Sequence, residues 1–92
     1  MDKEITKAKI EKYDDLTSRA LGIARKSIAK GKEKQAREIM HMVECYLSDS
    51  KHFEKKGDYV NAFGCLNYAH GWLDAGARLK IFNVTDNKLF TV

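Results

Sequence analysis

The 92-residue chain contains no proline, two cysteines and a single tryptophan. An all-β fold of this length needs regular chain breakers between short strands. Without proline, and with glycines that do not fall into regular turn signals, the sequence points to long helices. No apolar run approaches the ~20 residues needed to cross a membrane. The opening MDKEITKAKIEK is charged where a secretory signal would be apolar. A cytoplasmic chain with no membrane partner is therefore expected. Cys45 and Cys65 form no C-x-x-C motif, and two cysteines do not make a disulfide framework. On a helical hairpin turning near Gly57, Cys65 is level with residue 50, about 7 Å along the axis from Cys45 at roughly 1.5 Å per residue. A bridge would demand backbone movement, so reduced thiols are expected. There is also no Walker-type loop, no G-x-S-x-G elbow and no zinc-finger spacing.

What is present suits one helical domain, here residues 1–92. Apolar residues make up 43% and charged residues 33%, and 92 residues are too few for two independent cores. The net charge of +4 is concentrated between Arg25 and Arg37, where Glu33 is the single acidic residue. Lys30, Lys32, Lys34 and Arg37 are the candidates for contact with a phosphate backbone. A basic run of this kind more commonly solvates a connection between helices. No aromatic residue interleaves the charges, so stacking of bases has no support.

Three periodic segments follow one another. The first is expected over residues 2–29, with a stripe of Ile5, Tyr13, Leu16, Ala20, Ile23, Ala24 and Ser27. Gly31 then stands at a plausible left-handed stop, flanked by lysines that suit a helix C-terminus. The second segment, residues 33–56, carries Ala36, Ile39, Met40, Val43, Tyr46, Leu47, Ser50 and Phe53, and Gly57 repeats the stop signal. Asp58 serves as N-cap for the third, residues 58–82. The tail, residues 83–92, carries Leu89, Phe90 and Val92 and is expected to dock on the bundle.

The third segment is apolar around most of its circumference. Ala62, Leu66, Ala69, Leu73 and Ala77 form the central stripe, with Tyr59, Phe63 and Ile81 on one flank. Cys65, Tyr68, Trp72 and Leu79 extend the surface on the other. Such a helix is expected to meet more than one neighbour. Three glycines interrupt it, although each costs roughly 1 kcal/mol relative to alanine inside a helix. Gly76 lies near the core stripe, where it would admit a neighbouring helix. Gly64 and Gly71 lie on the opposite side, level with Val60 and Ala75. With Tyr68 and Trp72 they are the candidate contact with a second copy or a partner helix.

Few residues suggest chemistry. Glu38 and His41 form one Glu-x-x-His pair, with Cys45, Asp49 and His52 on roughly the same face. A di-iron bundle needs two such motifs and two further glutamates, and this face lies opposite the apolar stripe. His70, Asp74 and Arg78 recur at four-residue steps. A carboxylate between imidazole and guanidinium can orient a catalytic base, but the same spacing serves an ordinary ion-pair ladder.

The run GDYVNAFGCLNYAHGWLDAGARLKIF, preceded by YLSDSKHFEKK and followed by KLFTV, resembles the archaeal domain of unknown function 357 family. The resemblance covers residues 36–92, and the first helix in length and pattern. It implies a small all-helical cytosolic protein and no established activity, so no catalytic residue carries over. Lys80 stands where a small residue is expected, which leaves the end of the third helix open. Gly57-Asp58-Tyr59-x-x-Ala62 is also similar to a helix junction of tetratricopeptide repeats, which supports a tight hairpin and nothing more.

The combined expectation is all-α: a three-helix up-down-up bundle with a docked C-terminal tail. The leading function is a non-enzymatic interaction or self-association module without cofactors. The alternative is association with nucleic acid through residues 25–37, and a metal-binding or hydrolytic bundle comes third.

Overall fold

The computed structural model describes residues 4–90. It contains α1 (Lys7–Arg25), α2 (Glu33–Lys55) and α3 (Tyr59–Arg78), and no strand among those residues. The three-helix bundle expected from periodicity is the fold.

The ends of the helices differ from the periodic reading. The Thr6 side chain accepts the Lys9 N–H at 3.1 Å, so α1 begins at Lys7. This cap satisfies one of the four amides that a helix start leaves without partners. Glu4 and Ile5 precede the helix, and Asp2, where it was expected to start, lies outside the described residues. At its other end α1 stops at Arg25 rather than residue 29. The backbone beyond it pairs with the segment after α3. Ala29 N–H donates to Ile81 O at 2.9 Å and Asn83 N–H to Ser27 O at 2.6 Å, around an antiparallel bridge between Ile28 and Phe82. Continuing α1 would withdraw these groups from that pairing. Gly31, with φ +84°, therefore turns the chain into α2 and is not the stop of α1.

The α2–α3 junction is the one expected. Gly57 has φ +76°, its N–H reaches Glu54 O, and Asp58 N–H reaches Phe53 O, both at 2.9 Å. This double closure ties off a helix C-terminus around a left-handed residue. Asp58 then accepts the Asn61 N–H at 3.2 Å to start α3. The same closure ends α3, four residues short of residue 82. Ile81 N–H donates to Gly76 O at 2.9 Å and Lys80 N–H to Ala77 O at 3.2 Å. The left-handed position is occupied by Lys80, φ +62°, where glycine would be unstrained.

α3 lies between the other two helices, meeting α2 most extensively and α1 less, while α1 and α2 touch little. Its stripe of Ala62, Leu66, Ala69, Leu73 and Ala77 is buried as expected. From α1 the buried residues are Ile10, Thr17, Ala20, Leu21 and Ala24. Ile10, Thr17 and Leu21 thus belong to the stripe, and Ser27 lies beyond the helix. The buried Ser50 hydroxyl donates to Ala62 O at 2.9 Å, tying α2 to the start of α3.

Leu89 and Phe90 are buried in the main core, so the tail docks; Val92 lies outside the described residues. Gly76 faces the ring of Phe82. A Cβ there would stand 2.5 and 2.7 Å from two ring carbons and 3.2 Å from Ile39 Cδ1. Removal of that side chain lets the residue after the helix fold back onto its last turn.

Candidate functional site

The exposed side of α3 differs from those of its neighbours. α1 exposes Lys7, Lys9, Glu11, Lys12, Asp15 and Arg19, and α2 exposes charges at every turn. Between Tyr59 and Ala77, α3 exposes Val60, Asn61, Asn67, Tyr68, Trp72 and Ala75, together with Gly71, and none of these is charged. Depletion of charge is the compositional mark of interface centres, where Tyr and Trp are enriched. Val60 is 72% exposed, Tyr68 65% and Leu79 68%, whereas such side chains are stabilised by roughly 1.5–3 kcal/mol when fully buried.

Tyr68 is held in place from α2. Its ring stacks on that of Tyr46, with centroids 5.4 Å apart and planes 19° from parallel. The pair, with Trp72 across the helix surface, walls an open groove of about 520 Å³ whose floor includes Gly71 and Ala75. Tyr46 was placed in the core stripe of the second helix by its spacing; it is half-buried and forms one wall of this groove. That role depends on how α2 and α3 are juxtaposed, for which periodicity carries no signal.

A side chain added at Gly64 or at Gly71 would meet nothing within 4 Å. Neither glycine serves a close contact inside the fold, unlike Gly76. Gly76 makes room first for the Phe82 ring after the helix and only then for Ile39 of α2, rather than for close approach of a helix backbone. The flank expected to meet a second neighbour is likewise uncovered at Tyr68 and Leu79. α1 and α2 cover two sides of α3 and leave this third one bare.

His70 lies at the edge of the opposite seam. Its Nδ1 is 3.1 Å from the hydroxyl of Thr17 on α1, and its Nε2 is 2.6 Å from the carbonyl of Leu89 in the tail. A carbonyl only accepts, so Nε2 donates to Leu89; in the neutral ring Nδ1 then accepts the Thr17 proton. Asp74 Oδ1 is 3.9 Å from Nε2, and Arg78 is exposed at the end of the helix. Both ring nitrogens are thus engaged in joining α1, α3 and the tail. Thr17 and the Leu89 carbonyl were missed in the sequence because they stand far from His70 along the chain.

Of the remaining candidates, Lys34, Arg37, Glu38 and His41 line one open cavity near the start of α2. Glu38 and His41 are exposed, with His41 Nε2 3.7 Å from Cys45 Sγ. Among the described residues, no three His, Cys, Asp or Glu side chains gather into a set that could hold a metal ion. Both cysteines are free thiols. Burial, and secondarily the charge of Asp49, raises the pKa of Cys65, which disfavours its reactive thiolate. Lys30, Lys32, Lys34 and Arg37 are all exposed, while Arg25 at the edge of the patch pairs with Glu44 at 3.1 Å.

No described helix is long and apolar enough to cross a membrane. No curated protein and no solved structure matches the chain. The model of a protein family of unknown function, DUF357, matches residues 12–82, the span from the second turn of α1 to the ring that folds onto Gly76, and the chain belongs to that family.

Proposed function

We propose that the protein is a non-enzymatic interaction module whose working surface is the uncharged side of α3. The observation that carries this reading is the exposure of Val60, Tyr68 and Trp72 on α3, and of Leu79 at its C-cap, in a chain whose residues are 33% charged. Scattered apolar residues on a surface need no explanation, but Tyr46, Tyr68 and Trp72 gather around one groove, and an exposed apolar cluster of that kind marks a place of contact. A photo-crosslinking aromatic residue placed at Tyr68 in the native host tests it. Protein adducts should form from that position and not from Lys12 on the charged face of α1. Absence of adducts from position 68 would sink the reading.

A second reading rests on the basic connection. Lys30, Lys32, Lys34 and Arg37 project into solvent around one turn, an arrangement suited to weak contact with the phosphates of RNA or DNA. Its test is salt-dependent binding, treated in the Discussion.

A further inference from the structure

We propose that the cavity between α1, α3 and the tail binds a small zwitterion with an apolar body, the chemistry of a free hydrophobic amino acid. The cavity measures about 350 Å³, within the ~300–1,000 Å³ of small-molecule sites. Neither Tyr68 nor Trp72 lines it, so the site does not depend on the interaction surface above.

The cavity stands where the buried core divides. Leu66 belongs to a small cluster with Ile10 and Ala62, Leu89 to the main cluster, and both reach the cavity wall. Between them α1 and α3 meet through polar groups, the Thr17 hydroxyl and Nδ1 of His70 at 3.1 Å. Nε2 of the same ring holds the Leu89 carbonyl at 2.6 Å. Both nitrogens are engaged by the fold, so the ring is a fixed wall of the cavity. A wall already in place lowers the ordering cost of binding.

The rest of the lining sets the class of ligand. Tyr13, Leu16 and Leu66 give an apolar side, suited to a hydrocarbon or aromatic body. Asp74 of α3 and Lys88 of the tail bring one charge of each sign to the same cavity, together with the Asn67 amide. A ligand carrying only a negative charge is drawn to Lys88 and repelled by Asp74, and a cation meets the reverse. Over a few ångströms the two effects are comparable in size, so they largely cancel. A zwitterion satisfies both, with its ammonium at Asp74 and its carboxylate at Lys88 and Asn67. The Asp74 side chain is 29% exposed, whereas Lys88 is exposed. Water and salt therefore screen Asp74 less, and it should contribute more.

The test is amide and histidine-ring NMR of the labelled full chain, titrated with L-phenylalanine. Saturable shifts should appear at Thr17, His70 and Leu89, with a Kd of about 1 mM. Phenethylamine lacks the carboxylate and 3-phenylpropionate lacks the ammonium, while both keep the apolar body. Each should bind at least about fivefold more weakly. Asp74→Asn should weaken phenylalanine binding about tenfold and Lys88→Gln about threefold. Lys12→Gln, at an exposed position of α1 that does not line the cavity, should leave it unchanged. Bound ligand bridges α3 and the tail, so the Leu89 amide should also exchange more slowly. No saturation by about 20 mM phenylalanine overturns the proposal. Equal binding of the three compounds overturns it too, as do shifts that survive both charge substitutions unaltered. If Asp74→Asn disturbs the fold, the exposed Lys88 decides the matter.

Discussion

A methyl group has opposite consequences at different glycines of α3. At Gly76 it would collide with Phe82, whose ring carbons stand 2.5 and 2.7 Å from the Cβ position. Gly76→Ala is expected to lower stability by about 1–3 kcal/mol, as overpacking does. At Gly64 and Gly71 the position is empty, and alanine there reduces the freedom of the unfolded chain. Each is expected to raise stability by roughly 0.4–1 kcal/mol. Urea unfolding of the three variants at low concentration checks the contrast; equal signs at Gly76 and Gly71 would contradict it. His70 offers a second residue-scale test. His70→Ala leaves the buried Thr17 hydroxyl without its imidazole partner and frees the Leu89 carbonyl. A loss of about 1–3 kcal/mol follows if Thr17 finds no replacement, with faster amide exchange around Leu89 as the local sign.

At the scale of elements, the joints matter more than the helices. Lys80 holds a left-handed conformation, φ +62°, that costs a residue with a side chain roughly 1–2 kcal/mol. Lys80→Gly is expected to raise the melting temperature, and no change would mean that the strain is already relieved. The tail depends on a different device. The carboxylate of Asp86 accepts the Lys88 N–H at 2.7 Å and the Leu89 N–H at 3.2 Å. These hydrogen bonds, in that order, lower the Asp86 pKa from its ordinary 3.8, because they favour the charged form. A depressed carboxylate stabilises the fold above its unfolded pKa, and the contribution is lost as pH falls through the lower folded value. Tail docking is therefore expected to be constant at neutral pH and to loosen in acid below the ordinary carboxylate range. The chemical shifts of Leu89 and Phe90 over an acid titration would show it, and Asp86→Asn should remove the acid-dependent step.

At the scale of the whole molecule, α3 is covered on two sides and bare on a third. The covered sides account for the core. The bare one needs a partner or must tolerate wet aromatic rings. The basic connection at one end of the bundle adds a separate question. Non-specific contact by a few lysines gives a Kd of about 10⁻⁴–10⁻⁶ M at physiological salt. Replacing Lys30, Lys32 and Lys34 with glutamine should flatten its salt dependence, and no binding by the parent chain even at low salt would end that reading. The two surfaces lie on different elements, so variants in one should leave the other unaffected.

The number of helices, the buried stripe of α3 and the Gly57–Asp58 junction are legible in the chain alone. Each is a local matter: apolar spacing repeats within one segment, and a left-handed glycine followed by a capping aspartate acts over a few residues. Spacing also marks Gly76 as a packing position, since that glycine lies near the stripe. The ends of α1 and α3 are set by long-range pairing, because Ser27 and Ala29 bond Asn83 and Ile81 across more than fifty residues of chain. Periodicity ran through both ends, since Ile28 and Ile81 are apolar whether helical or paired. The candidate surface divided in the same way. Spacing sets Tyr68 and Trp72 on a flank of α3 expected to be covered, and Gly64 and Gly71 beyond it. That α2 leaves the flank bare at Tyr68, and lends it Tyr46, depends on how the helices settle against each other. The partners of His70 were hidden for the same reason: a hydrogen bond between distant residues leaves no period in the chain.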